Sequence, residues 1–170
     1  MQRSDLDIHL KRIDDLVAEM NDVVPPSTSY KSIKFRADLA GLLVVAIAAT
    51  YENCVKEVLY SYTGRQHAAF ESYARRKYNK INSRISVSDL KSYCELLDPA
   101  LKRQFQEGLA VRKKAVLERT GGSIDSSYTQ LLEWRHEFAH TGVRNTTLEE
   151  AARAHLFGKR VIYVFAETLK

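Results

Sequence analysis

The sequence predicts an all-α protein, a single-domain helical bundle of about six to seven helices. Apolar residues recur at spacings of three and four along most of the chain, which is the period of an amphipathic helix. Only 3 prolines and 7 glycines occur among the 170 residues, so helix breakers are few. No internal repeat, low-complexity segment or long linker divides the chain, and its length suits one domain with its own core.

The first predicted helix covers residues 4–23, where the apolar residues form a single stripe. Pro25 and Pro26 follow it, and proline ends a helix because it lacks the amide hydrogen that continues the ladder. We therefore divide the single domain, residues 1–170, into an N-terminal helix with its proline-rich turn, residues 1–26, and a bundle core, residues 30–170.

The longest helix is predicted at residues 30–62, with Gly64 as its C-cap. Between residues 39 and 49 it is apolar on all sides, as expected of a helix that other helices surround. Glu52 falls on an apolar line of the same helix. A carboxylate there is costly unless a cation or a hydrogen-bond donor meets it.

The remaining helices are separated by capping residues and short breaks. Their predicted ranges are 67–81, 86–97, 99–119, 125–141 and a last helix that begins at Thr147. Gly142 is the expected C-cap of the helix at 125–141. The run at 161–165 is β-branched and aromatic, which leaves a short strand pairing open there.

The candidate chemistry is concentrated in residues 134–142, with the sequence WRHEFAHTG. Read from Arg135 the stretch is R-x4-H, which indicates cleavage of RNA without a metal. Read from His136 it is H-E-x-x-H, in which His136 and His140 bind zinc and Glu137 is the general base.

Arg135 falls in the middle of the apolar face of its helix, a face that we expect to include Ala139. Because an arginine on such a face is rarely left unpaired, we predict that it meets Glu52 at the edge of the core. His136 and His140 are four residues apart and so project from one edge of the helix. The alternative is that Arg135 reaches solvent along the surface and that the two histidines are ordinary surface residues at a helix end.

The zinc interpretation lacks a third protein ligand in the sequence. Position 143 is Val and position 146 is Thr, so the H-E-x-x-H-x-x-G-x-x-H pattern is missing. The later candidates have no local ligand signature; they are Glu149, Glu150, His155 and Glu167. Arg135 would also place a cation beside the dication, which is unfavourable.

The net charge of +5, from 26 basic and 21 acidic residues, permits a polyanionic partner without requiring one. Basic residues cluster at 75–77 with Lys80 and at 112–114 with Arg119, where either a phosphate-facing patch or a solvated helix face is possible.

Two cysteines, Cys54 and Cys94, lie inside helical patterns and are expected to be buried free thiols. The first residues lack an apolar signal segment, and the apolar run at 39–49 is far shorter than the roughly 20 residues of a membrane span. We therefore expect a cytoplasmic protein with no membrane partner.

The segments LLEWRHEFAHTG and LLVVAIAATYENCVKEVL together resemble a HEPN-superfamily domain, whose signature is R-x4-6-H. Arg135, His136, His140 and Gly142 match the signature positions in order, with His136 at a place where Asn is commonest. The aromatic-acidic pair Tyr51-Glu52 resembles the RiboL-PSP-type branch of the superfamily. The resemblance extends from about Ile33 to the end of the chain.

This resemblance implies a metal-independent endoribonuclease without a cofactor, in which the 2′-hydroxyl attacks the adjacent phosphate and leaves a 2′,3′-cyclic phosphate. His140 would be the general base or acid, and Arg135 would hold the scissile phosphate. His136 would be a second proton-transfer or phosphate-contacting group, and Glu52 would orient Arg135. The resemblance also implies a homodimer with a composite active site, and a toxin or antiviral-defence role with an antitoxin or other regulatory partner.

Three other functions remain open at this stage. One is a catalytically silent HEPN-like module for RNA binding or assembly. The others are the zinc metallopeptidase that uses residues 136–140 and an unrelated helical interaction protein. Cleavage of RNA in EDTA separates the nuclease from the first and last, and the metal content separates the peptidase from the rest.

Overall fold

The computed structural model describes residues 3–27, 29–79 and 85–170, and in these residues the chain is all-α. Seven helices are described: α1 Arg3–Val23, α2 Tyr30–Gln66, α3 Ala68–Tyr78, α4 Val87–Leu97, α5 Pro99–Thr120, α6 Ile124–Thr141 and α7 Leu148–Thr168. The all-α fold class and the number of helices are confirmed. The open possibility of a strand at 161–165 is not realised, because those residues lie in the middle of α7.

Most helix ends follow the local capping chemistry that the sequence predicts. Ser86 and Asp89 form a capping box at the start of α4, and Thr147 and Glu150 form another at the start of α7. Asp98 accepts a hydrogen bond from the Ala100 amide at the start of α5. These contacts are made within three residues, so the sequence suffices to place them.

The prediction that Gly64 caps α2 is wrong. The helix continues to Gln66, and His67 is the C-cap, with its amide donating to the carbonyl of Thr63. A Cβ atom at Gly64 would lie 2.8 Å from a carboxylate oxygen of Glu71 in α3. Gly64 therefore allows α3 to pack closely against α2, which is a tertiary role.

The α3 helix is shorter than the predicted range 67–81. It begins at Ala68, because His67 stays outside it as the N-cap and accepts a hydrogen bond from the Ala69 amide at 3.1 Å. Residues 80–84, which include the end of the predicted helix and Lys80 of the first basic cluster, lie outside the described residues.

The longest helix, α2, is the centre of the bundle, and α6 packs antiparallel to it. Phe138 of α6 lies against Gly41, and Tyr128 stacks on Tyr51 with ring centroids 5.4 Å apart. Residue numbers therefore decrease along α6 in the direction in which they increase along α2. The Tyr128 hydroxyl donates to the carbonyl of Ile85 at 2.7 Å, which ties the segment before α4 to the same contact. Burial raises the pKa of Tyr128 well above its usual value, so the hydroxyl stays protonated.

α7 packs on both α2 and α6 and runs parallel to α2. Arg36 pairs with Glu149 near the start of both helices, and the hydroxyl of Tyr51 lies 3.1 Å from Nδ1 of His155 further along them. In α6, the backbone of Tyr128 approaches Gly158 so closely that a Cβ atom there would lie 3.2 Å from it. α2, α6 and α7 therefore form a three-helix core, and α1 packs on the α2–α7 side of it.

One side of α2 is less covered than the sequence suggests. Residues 39–49 are apolar all round, yet Leu42 is 54% exposed and Ala49 is also exposed. The expectation that other helices surround this segment fails on that side, because α1, α6 and α7 all pack on the remaining sides.

Both cysteines are buried free thiols, as predicted, and burial raises the pKa of each to about 12. Among the described helices, none combines the length and the hydropathy that crossing a bilayer requires.

Candidate functional site

The candidate site lies in the last two turns of α6, which is helical through the whole R-x4-H stretch. Ser123 caps the start of α6, where its hydroxyl accepts a hydrogen bond from the Ser126 amide. Gly142 ends the helix in the left-handed region, with φ at 68°, and its amide donates to the carbonyl of Phe138 at 3.0 Å. The predicted C-cap is confirmed, and it fixes His140 in the last turn.

The structure brings His136 and His140 together at one edge of α6. Their ring centroids are 4.5 Å apart, with an angle of 55° between the ring planes, and both side chains are exposed. Two imidazoles at this separation can each reach a different oxygen of one bound phosphodiester. One can accept a proton while the other donates one.

Arg135 is half-buried and lies beside the histidine edge rather than in open solvent. Its neighbour Trp134 is partly buried against the core. The prediction that Ala139 faces the core is wrong, because Ala139 is exposed. Phe138 takes the place expected for Ala139: its ring lies on Gly41, where α2 has no side chain, and so turns Ala139 outward.

Glu52 is partly buried, and the structure pairs it with Lys56 within α2. The carboxylate and the ammonium are 2.6 Å apart, and the two side chains are only 18% and 17% exposed. The cation that the sequence requires near Glu52 is thus supplied by the next helical turn. A contact between Glu52 and Arg135 stays a prediction.

The geometry of α2 and α6 sets what such a contact would need. In the antiparallel register of Gly41 with Phe138, Arg135 lies level with Val44, which is eight residues or roughly 12 Å along α2 from Glu52. Side chains lean toward the N-terminus of their own helix, so these two lean toward each other. Both would have to be extended.

The loop after α6 is fixed by two contacts that the sequence did not reveal. Arg144 pairs with Asp38 of α2, and the amide nitrogen of Asn145 donates to the carboxylate of Glu137. Arg144 and Asp38 are 106 positions apart, so no local pattern indicates their pairing. These contacts hold the loop beside the histidine edge and occupy the carboxylate that a zinc peptidase would use as a base.

The candidates for a third zinc ligand have other partners in the structure. Glu149 pairs with Arg36, Glu167 pairs with Arg112, Glu150 belongs to the capping box of α7, and His155 is buried next to Tyr51. Within the described part of the chain, no three His, Cys, Asp or Glu side chains lie close enough together to hold a metal ion. Among the described residues, His136 and His140 therefore gain no third ligand.

The histidine edge and the uncovered side of α2 belong to one face of the protein. On α2, Leu42 lies about 100° from Gly41, on the side opposite Tyr51, which contacts α7. On α6, His136 lies about 140° from Leu131, which packs on Gly158 of α7. Both sides point away from α7, so Leu42 and the histidines share what we call the open face: Phe35, Leu42, Ala49, His136 and His140. Arg135 lies about 40° from Leu131 and so borders this face.

Comparison with known proteins gives one informative result. No curated protein and no solved structure matches the chain. A family model described as RiboL-PSP-HEPN matches residues 7–170, which includes every helix of the core and the whole R-x4-H stretch. The resemblance inferred from the two segments is thereby confirmed, and the chain belongs to the RiboL-PSP-HEPN family.

Proposed function

We propose that this protein is a metal-independent endoribonuclease of the HEPN type. The observation that carries the proposal is the pair of exposed imidazoles, His136 and His140, in a chain of this family. Their ring centroids are 4.5 Å apart, and they follow the half-buried Arg135 by one and five residues. Such a site holds two proton-transfer groups and a cation, which is what cleavage of RNA by its own 2′-hydroxyl needs.

In the proposed reaction His140 accepts the proton of the 2′-hydroxyl, and the 2′-oxygen attacks the adjacent phosphorus. The bond from phosphorus to the 5′-oxygen breaks, and that oxygen takes a proton from His136. The products are a 2′,3′-cyclic phosphate and a 5′-hydroxyl, so atoms and charges balance without water or a metal. Arg135 stabilises the negative charge that builds on the non-bridging oxygens.

Glu52 is proposed to act on Arg135 rather than on RNA. Its place inside the bundle, paired with Lys56, suits a positioning role, because a partly buried carboxylate does not face an anionic substrate. In this proposal Glu52 fixes the direction of the Arg135 guanidinium.

We further propose that the active unit is a homodimer with a composite active site. One chain offers a phosphate a single arginine and two histidines on an exposed helix edge, which leaves the reacting groups in water. Covering the open face with a second copy would bury Phe35, Leu42 and Ala49 and exclude water from both motifs.

A role as a toxin or defence nuclease, with an antitoxin or other regulatory protein as partner, is proposed from the family resemblance alone. Coexpression with a neutralising partner tests this part.

The nuclease proposal is tested by incubating the purified protein with mixed single-stranded and structured RNA in EDTA. We expect cleavage that Arg135→Ala and His140→Ala each reduce by at least 100-fold, with products that mass spectrometry shows to end in 2′,3′-cyclic phosphate.

Matched controls are His9→Ala and Arg12→Ala, two exposed residues of α1, which should cleave at the unsubstituted rate. Cleavage that survives both active-site substitutions would place the activity elsewhere or in a contaminant. If no RNA is cut and the purified protein contains stoichiometric zinc, the peptidase interpretation replaces this one.

A further inference from the structure

Four arginines line up across α5 and α7, away from the active edge. Arg112 and Arg119 are seven residues apart and so lie on one side of α5, and Arg153 and Arg160 have the same relation on α7. Burial, and then the charges of Arg119 and Arg112, lower the pKa of Arg160. The three guanidinium groups are therefore close enough to interact electrostatically. We call these four residues the arginine strip.

The strip is only weakly neutralised by acidic side chains. Arg112 pairs with Glu167 at 3.2 Å, but Arg119, Arg153 and Arg160 form no ion pair within the residues that the structure describes. The neighbouring lysines of the basic cluster at 112–114 do form pairs, Lys113 with Asp125 and Lys114 with Glu118. Since clustered like charges repel, the strip costs stability unless a polyanion binds there.

A pocket of about 350 Å³ lies between α6 and α7 next to the strip. Arg153 belongs to both the arginine strip and the lining of the pocket. The guanidinium of Arg160 lies 5.7 Å from the ring centroid of Phe157, which also lines the pocket. The pocket is also lined by the indole of Trp134, the amide of Gln130 and three serine hydroxyls, and by Glu150, whose carboxylate is taken up by the capping box of α7. An aromatic surface beside an amide that can both donate and accept hydrogen bonds suits a nucleobase.

The pocket is separate from the proposed cleavage site. Trp134 and His136 are two residues apart on α6, which turns their side chains about 200° from each other. Trp134 faces α7, whereas His136 belongs to the open face. A nucleotide in the pocket therefore lies on the opposite side of α6 from the reacting phosphate.

We propose that the arginine strip and the pocket bind a single-stranded segment of RNA outside the cleavage site, with phosphates on the arginines and one base against Trp134. The inference rests on the proposed function for the identity of the nucleic acid as RNA. An acidic protein could neutralise the strip, but it has no base to place against the indole and amide of the pocket. RNA, which carries both phosphates and bases, fits both parts of the surface.

The test uses a fluorescently labelled single-stranded 2′-O-methyl RNA, which cannot be cleaved because its 2′-oxygen is blocked. Binding is followed by anisotropy at several salt concentrations, and the pocket is followed by intrinsic fluorescence, since Trp134 is the only tryptophan in the chain. We expect binding with quenching of Trp134. In Arg119→Ala/Arg160→Ala we expect at least 10-fold weaker binding. The slope of the logarithm of the binding constant against the logarithm of the salt concentration should be smaller in magnitude by about 1.4.

The matched control is Arg12→Ala/Arg103→Ala, which removes the same charge from exposed positions on α1 and on the opposite side of α5. Equal loss of affinity in the two double variants, or binding without quenching of Trp134, would overturn the proposal. So would equal quenching by poly-glutamate, which would identify a general anion patch. A protein that binds the 2′-O-methyl RNA as expected but cleaves no unmodified RNA would contradict the nuclease proposal alone.

Discussion

Gly41 is the residue through which the core helix controls the position of the motif helix, and Gly41→Ala tests this. A Cβ atom at Gly41 would overlap three carbons of the Phe138 ring, the farthest of them only 2.5 Å away, whereas ordinary contact begins at 3.4 Å. The ring, or α6 with it, must therefore retreat by about 1 Å. Phe138 lies between Arg135 and His140, so this displacement moves the candidate site directly.

The expected effect on stability is small compared with the effect on activity. Replacing glycine by alanine inside a helix stabilises the folded state by about 1 kcal/mol, whereas overpacking destabilises it by about 1–3 kcal/mol. The free energy of unfolding should therefore fall by about 0–2 kcal/mol. A displacement of about 1 Å at a reacting group can cost about 100-fold in rate. We expect Gly41→Ala to lower RNA cleavage by about that factor while its thermal midpoint falls by no more than about 8 °C.

The assay compares cleavage rates and thermal midpoints for Gly41→Ala and for Gly41→Ala/Phe138→Leu, in which the ring that meets the new methyl group is gone. The double variant should regain most of the lost activity. Gly108→Ala is the control, because its Cβ atom would meet Val164 at 3.2 Å, far from the motif, and should change stability without changing the cleavage rate. Full activity in Gly41→Ala, or no recovery in the double variant, would refute the reasoning.

Two further predictions concern acid stability and assembly. Burial, and then the charge of Lys159, lower the pKa of His155 from 6.5 to about 4 against the opposing effect of Asp14 at 3.7 Å. The unfolded chain thus binds more protons between these values. Through this group, the free energy of unfolding should fall by roughly 2 kcal/mol from pH 7 to pH 5. Urea titrations at the two pH values should show a smaller fall for His155→Gln, and an equal fall in the two proteins would contradict the prediction. Leu42→Glu should give monomers in analytical ultracentrifugation and abolish cleavage, whereas Leu117→Glu, at a site 50% exposed against 54% for Leu42, should do neither. An active monomer of Leu42→Glu would exclude the composite site.

The sequence predicted the parts of this protein that depend on neighbours along the chain. Capping boxes at Ser86 and Thr147 and the glycine cap at Gly142 close within four residues, so their chemistry is visible as a pattern. The same holds for His136 and His140, since a helical period alone places residues four apart on one edge. The family resemblance, too, was visible in two segments of the sequence, and a match over residues 7–170 confirms it.

Contacts between distant residues decided the rest. The sequence indicates a helix end at Gly64, but the structure shows that this glycine makes room for Glu71 of the next helix. The sequence also indicates a core position for Ala139, whereas Phe138 is the residue that packs on Gly41. Nothing near Arg119 in the chain indicates that its charge acts on Arg160, 41 positions away. A helical pattern states which residues share a side, but only packing decides which side is covered. That is why the exposure of Leu42 and the arginine strip required the tertiary structure.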